Sequence, residues 1–230
     1  MTKSTFTIDY QTKICSNCSD KLIKYGKTRN GNQRYKCKNC QKTRVEIYSY
    51  NAYLTTINYN IVQLTKEGLG IRSTARYLKI STTTLLKRIL EIASNIVPPK
   101  ITKQDKEFQV DELRTFHKKR LKPIWITYTY SLKTRKIHAF HVGYRTIEIF
   151  KKLLLPIIRT EPKIIYTDKL NTYSSVIPSE LHSTRFRSTN HIERNHLSLR
   201  THLKRLNRKT ICYSKNMNVL SAILTIYFWC

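Results

Sequence analysis

Acidic residues are scarce in this chain. Its 230 residues hold 14 Asp plus Glu against 43 Lys plus Arg, a formal charge of +29. That balance repels itself unless a polyanion is nearby, so nucleic acid leads the list of partners. Codon bias toward Lys, Ile, Asn and Tyr accounts for some of the lysines, but not for the shortage of acids. Glycine is also scarce, at five, and no internal repeat or low-complexity tract is visible. Long apolar runs are missing as well. The longest, "NVLSAILTIYFWC" at 218–230, falls short of the ~20 residues of a membrane span and reads as a closing core helix. The opening "MTKSTFTIDYQTK" lacks the apolar centre and small-residue cleavage site of an export signal, so a cytoplasmic protein is expected. With 40% hydrophobic residues, the chain can build one mid-sized domain and one or two small ones.

Four of the six cysteines form two pairs, Cys15 with Cys18 and Cys37 with Cys40, with 18 residues between the pairs. Two residues between thiolates let a tight turn aim both sulfurs at one tetrahedral ion, and a second such knuckle closes a four-sulfur structural zinc site. The residues between read as a hairpin, with "RNGNQ" as its turn and "RYKCK" as its returning strand. A redox CxxC or two disulfides are the alternatives. A single redox motif has no use for a second, however, and cytoplasmic thiols stay reduced. Cys212 and Cys230 stand alone and are expected to be buried or incidental.

Residues 58–95 show three short helical patterns. Ile61, Val62 and Leu64 carry the first, which Gly68 ends; Ala75 and Leu78 mark the second; Ser81 caps a third with Leu85, Ile89 and Ile92. This is helix-turn-helix grammar, and the third helix would present Thr82, Thr83, Lys87 and Arg88 to a major groove. For the segment in isolation a plain three-helix core is slightly the better reading, but beside a zinc ribbon and a charge of +29 DNA binding is favoured. "VPPK" at 97–100 reads as a linker.

Beyond it, "EFQVDELRTF", "KPIWITYTYSL" and "RKIHAFHVGY" read as an antiparallel meander, "TIEIFKKLLLPIIR" as a helix, and "KIIYTD" as a buried strand. The order βββαβ followed by a helix is that of an RNase-H-like α/β domain. There, an acid midway along the first strand, Asp111, lies beside one at the end of the fourth, Asp168. Asp168 could instead be an Asx turn or a helix cap. Asp111 is harder to explain away, because Asp is depleted in strand interiors. A third acid, Glu193, stands almost alone among the basic residues of 188–210. Ile192, Leu199, Leu203 and Leu206 predict a helix over about 191–206, with Glu193 beside its apolar stripe. Glu193 could close a capping box with Asn190 as the N-cap. Alternatively, its turn holds a metal and the rest of the helix tracks phosphates, because Arg200 returns to nearly the same azimuth about 10 Å farther along. Three carboxylates converging in so basic a chain call for two divalent cations, Mg²⁺ or Mn²⁺, which favour oxygen ligands.

The segments "VDEL", "YTDKLNTY" and "IERNHLSLRTHLKRLNRKT" resemble the catalytic domain of DDE transposases of the insertion sequence one family, which also carry a zinc ribbon and helix-turn-helix upstream. The resemblance implies Asp111, Asp168 and Glu193 as a metal-binding triad, with Arg200, Lys204, Arg205, Arg208 and Lys209 on DNA. It departs at Arg114, where an aromatic is usual, and at Lys169 and Leu170, where Gly and an aromatic are usual. The expected architecture is multidomain α+β: zinc ribbon (1–48), helix-turn-helix (49–96), linker (97–103) and RNase-H-like catalytic domain (104–230). The expected function is binding of terminal inverted repeats, followed by strand cleavage and transfer to target DNA by a homo-oligomer on DNA. A non-enzymatic zinc-ribbon and helix-turn-helix regulator is the rival reading, and it leaves the three acids unexplained. A structure-specific nuclease of the same fold is a second rival, which the two amino-terminal DNA-binding modules argue against.

Overall fold

The computed structural model describes residues 14–46, 49–185 and 188–230. Residues 1–13, on which the expected lack of an export signal rests, lie outside the described residues. Among those described, no helix is long and apolar enough to cross a membrane. The chain divides into two compact units, 1–57 with 78–80 and 58–77 with 81–230.

The first unit holds an antiparallel sheet of β1 (Leu22–Lys27), β2 (Gln33–Cys37) and β3 (Thr43–Val45). The expected hairpin is present. Its turn closes through Thr28 N–H on Asn32 O (2.8 Å) and Gly31 N–H on Thr28 O (2.9 Å), with Gly31 at φ +82°. Strand β1 is exposed along almost its whole length, and the buried side chains around the sheet are chiefly Cys15, Tyr35 and Cys37. So little apolar burial does not hold three strands together unaided.

The remaining elements are α1 (Ile57–Lys66), α2 (Ile71–Leu78), α3 (Thr82–Ser94), β4 (Glu107–His117), β5 (Lys119–Ser131), β6 (Ile137–Gly143), α4 (Ile147–Ile158), β7 (Ile164–Tyr166), α5 (Asn171–Ser174), β8 (His182–Ser183), α6 (Asn190–His202) and α7 (Met217–Trp229). Ser81 caps α3, its hydroxyl accepting the Thr84 N–H at 3.0 Å. Helix α3 buries Leu85 and Ile89 and packs along α7, which in turn lies on β6.

The five-stranded sheet has the order β6-β5-β4-β7-β8. Strands β4, β5 and β6 form the expected antiparallel meander, while β7 returns through α4 to pair with β4 in parallel, Glu107 opposite Ile164 and Gln109 opposite Tyr166. Period-2 alternation gives β4 two faces. Phe108 and Val110 pack with Phe150, Leu154 and Ile157 of α4, Ile165 of β7 and Tyr173 of α5. The opposite face carries Gln109 and Asp111, which reach toward α6.

A buried acid anchors the entry to β4. Asp105, 1% exposed, accepts from Thr102 N–H (2.8 Å) and Oγ1 (2.7 Å), Ser131 Oγ (2.5 Å) and Thr134 Oγ1 (2.6 Å). His138 Nε2 stands 3.5 Å away, and its Nδ1 meets Pro99 O at 3.1 Å, so the segment read as a linker is tied down at its proline. Burial alone would raise the Asp105 carboxyl, but the donors from Ser131, Thr134 and Thr102 outweigh it and hold the group below its ordinary range. Asp105→Ala should therefore cost about 3 kcal/mol in urea unfolding at neutral pH, because it strands several buried donors. The advantage of Asp105 over Asp105→Asn should be full above pH ~4 and shrink as the pH falls through the lowered folded-state pKa. A stability difference independent of pH would contradict this account.

Candidate active site and cysteine cluster

Cys15, Cys18, Cys37 and Cys40 bring their sulfurs within 4.8 Å of one another, with Cys15 Sγ 3.5 Å from Cys40 Sγ and Cys18 Sγ 3.4 Å from Cys37 Sγ. No disulfide links them. The two knuckles repeat one backbone device: the fourth residue after each leading cysteine, Ser19 (φ 57°) and Gln41 (φ 59°), is left-handed. The backbone amides of Asn17 and Cys18 bring the Cys15 thiol down to about 6. Cys18 is pushed up to about 12, because its thiol neighbours, Cys37 foremost, and burial outweigh the Asp20 amide. Four thiols this close cannot all ionise without a cation between them, and a tetrahedral ion with Zn–S bonds of ~2.3 Å suits their spacing. Cys212 and Cys230 are exposed, so neither is the buried thiol that was one of the two expectations.

On the main sheet, Asp111 lies midway along β4 and Asp168 lies two residues past the end of the parallel neighbour β7. Carboxylate oxygens of Asp111, Glu112 and Asp168 lie within 4.8 Å of one another. Glu193 is outside that trio but lines the same cleft of about 750 Å³, with Asp111, Asp168, His196, Leu197, Arg200 and Arg208. Asp168 does make an Asx turn, accepting the Leu170 N–H at 3.1 Å, while its side chain stays exposed at the cleft. The capping box is not formed. Helix α6 begins at Asn190, so the N-cap is Thr189, whose hydroxyl donates to Glu193 Oε1 (2.8 Å).

Burial, with the charges of Asp168 and Glu193, raises Asp111 to about 6 against the pull of the Glu112 N–H. Burial likewise raises Glu112 to about 7, helped by Asp168 and Asp111 and opposed by Tyr173 and Arg145. His196 Nδ1 sits 3.6 Å from Asp111 Oδ2. Burial and then Arg200 lower it to about 4, so the imidazole is neutral at physiological pH.

Gln109 fixes the start of α6. Its Nε2 donates to Ser188 O (2.5 Å) and its Oε1 accepts the Ile192 N–H (2.8 Å), while Tyr128 Oη donates to Ile192 O (3.2 Å). The sequence reading missed Glu112, His196, Gln109 and Tyr128. Two signals were available: a second acid beside Asp111 inside a strand, and a histidine three residues after Glu193 on the same helical face.

The residues expected on DNA fall into two groups. Thr82, Thr83 and Lys87 are exposed on α3, whereas Arg88 is half-buried and pairs with Glu91 at 3.6 Å. The helix expected to reach 206 ends at His202. Leu203 leaves helical geometry, and a 3-10 turn at Lys204–Leu206 follows, so that both leucines are buried. The break coincides with a close approach: the His202 carbonyl sits against Gly68 (φ +75°), where a Cβ would collide with it. Arg200 therefore lies on α6, donating to Arg114 O at 3.4 Å. Lys204 and Arg205 lie on the turn, and Arg208 and Lys209 are exposed beyond it. Arg205 is half-buried beside the α1–α2 connection, away from the acidic cleft. At the positions that depart from the family pattern, Arg114 and Lys169 are exposed and Leu170 packs on the core.

A family model described as IS1 transposase matches residues 107–229. The insertion element iso-IS1n protein InsB of Shigella dysenteriae is 33% identical over 116 residues, covering 50% of this chain and 88% of that protein. The IS1 protein InsB of Shigella flexneri is 33% identical over 103 residues, covering 45% and 79%. Among solved structures, a chain of the simian T-cell lymphotropic virus intasome, in complex with PP2A regulatory subunit B56 gamma, covers 72% of this chain and 67% of its own, with a TM-score of 0.38 and 16% identity, a likeness too weak to bear on function. The match across β4 to α7, which includes every carboxylate of the cleft, shows that the chain belongs to the IS1 transposase family.

Proposed function

We propose that the chain is a DDE transposase that binds the terminal inverted repeats of an insertion sequence, cleaves DNA strands at their ends and joins the resulting 3′-hydroxyls to target DNA. The observation that carries this reading is the single cleft shared by Asp111, Asp168 and Glu193 and flanked by Arg200 and Arg208. An RNase-H-like catalytic part is supported by the sheet order β6-β5-β4-β7-β8 with β7 parallel to β4. The division at 48, 96 and 103 is part of the proposal, with the helix-turn-helix seated through α3 on α7 rather than hanging from a free linker. Such a protein acts on DNA in the cytoplasm, as a homo-oligomer assembled on the element's ends.

The all-oxygen donors of the cleft fit hard divalent cations, and the all-sulfur cluster fits zinc. When bound, two Mg²⁺ or Mn²⁺ ions would activate the attacking oxygen and stabilise the leaving oxygen in an in-line displacement at phosphorus. Asp111, Asp168 and Glu193 would hold them. Arg200 and Arg208 would grip phosphates flanking the scissile one, and Gln109 would keep the first turn of α6 in place. Thr82, Thr83, Lys87 and Arg88 would read the inverted repeat, with Lys204, Arg205 and Lys209 adding sequence-independent attraction.

Two measurements test this. Glu193→Gln retains an acceptor for Thr189 but loses the charge. Repeat binding should stay normal while single-turnover nicking of labelled terminal DNA falls roughly a hundredfold or more; equal nicking at matched occupancy would remove Glu193 from the site. For the ribbon, elemental analysis should find about one zinc per chain, lost when Cys15 and Cys37 become Ser. Folded wild-type protein without zinc would overturn the assignment.

A further inference from the structure

Glu112 belongs to neither the expected triad nor the phosphate-binding surface. It follows Asp111 on β4, so its side chain leaves the opposite face of the strand and faces α5 rather than α6. Its Oε1 is buried without a hydrogen-bond partner. Beside it stands Tyr173, 0% exposed, whose hydroxyl is likewise buried; the two groups interact, Tyr173 favouring the ionised Glu112, yet neither makes a hydrogen bond of ordinary geometry. Two complementary polar groups buried just short of a full hydrogen bond cost free energy, and a bound state that draws them together removes that cost. Carboxylate oxygens of Glu112, Asp111 and Asp168 also lie within 4.8 Å of one another, closer as a group than any that includes Glu193. Three ionised acids in that space repel one another unless a cation sits among them.

We propose that Glu112 is a fourth carboxylate of the catalytic cleft, which with Asp168 and Asp111 forms a divalent-cation subsite on the α5 side of β4, with Tyr173 as the positioning residue that orients its carboxylate. This rests on the cleft being a cation site, as the proposed function holds. The two cations would then be held unequally. Glu193 would serve one from the α6 side of β4 and Glu112 the other from the α5 side, with Asp111 and Asp168 between. Tyr173 has only its phenolic O–H to donate, and an ionised, metal-bound Glu112 is the acceptor that satisfies it.

The test uses the full zinc-containing chain without DNA and reads Mn²⁺ binding by calorimetry together with the Mn²⁺-induced rise in melting temperature. Glu112→Gln preserves shape and removes a repelling charge, so the metal-free variant should melt no lower than wild type. It should bind Mn²⁺ at one site rather than two, or at the second with roughly tenfold or more weakened affinity. Tyr173→Phe keeps the ring packing and should weaken the same site by a smaller factor, giving an independent reading if Glu112→Gln fails to fold. Asp168→Asn provides the control that separates the two ideas. If it weakens Mn²⁺ binding while Glu112→Gln and Tyr173→Phe bind as wild type does, the proposal fails and the cation cleft stands. If none of the three variants alters binding, the cleft is not a cation site and both fail.

Discussion

The parallel pairing of β4 with β7 is the constraint on which the site depends. Glu107 opposes Ile164 and Gln109 opposes Tyr166, so continuing that register by two residues carries Asp111 level with Asp168 just as β7 runs out. A parallel neighbour cannot follow directly from a hairpin, and here the chain reaches it through α4, whose Phe150, Leu154 and Ile157 seal one face of the sheet. Because the crossover is packed on the sheet through buried apolar side chains, the two acids are held together although they repel. A slip by one residue would turn Asp111 to the face that now carries Glu112.

The opposite face is closed by α7, which packs through Leu220, Ile223, Leu224 and Ile226, and by α6, whose position is set by hydrogen bonds rather than apolar area. Helix α6 is strongly polar, burying only Ile192 and Leu199. Gln109 and Tyr128 supply what burial does not by bonding the backbone at 188 and 192. That fixes the first turn and therefore Glu193 and His196. The far end is fixed separately, where the His202 carbonyl meets Gly68 and the chain turns to bury Leu203 and Leu206. The α1–α2 connection thus bears directly on the end of the helix that begins at the cleft. Together with the packing of α3 on α7, and of α7 on β6, this seats the three helices α1 to α3 against the elements that cover the five-stranded sheet.

What could be read in the sequence follows the range of the interactions involved. The meander, α4 and the closing helix were legible because their patterns extend over seven or more residues of regular periodicity. The cysteine spacing was legible because knuckle geometry is local. Strand β8, at two residues, and α5, at four, are too short to show any period. The end of α6 was misplaced because Leu203 and Leu206 continue helical spacing, and the signal that overrides them is a contact with Gly68 in another part of the chain. Asp105 was overlooked for the same reason, since its partners Ser131 and Thr134 lie 26 and 29 residues away. The capping box on Asn190 failed by a single position, which moves Glu193 out of the place a box requires.

Charge economy gives the acids of the cleft their meaning. With 43 Lys plus Arg available to 14 Asp plus Glu, any exposed carboxylate could readily find a basic partner. Among the described residues, Glu91 pairs with Arg88 and Glu107 with Lys163, yet Asp111, Glu112, Asp168 and Glu193 make no ion pair with Lys or Arg. The contact nearest to one is the His196 ring at Asp111, and burial keeps that ring neutral. Arg200, in the same cleft, donates to the backbone of Arg114 instead and leaves its Nη1 unpaired. Keeping four acids free of arginine and lysine in a chain of charge +29 takes structure, and the same geometry gathers carboxylate oxygens of Asp111, Glu112 and Asp168 within 4.8 Å of one another, a donor set suited to a hard cation.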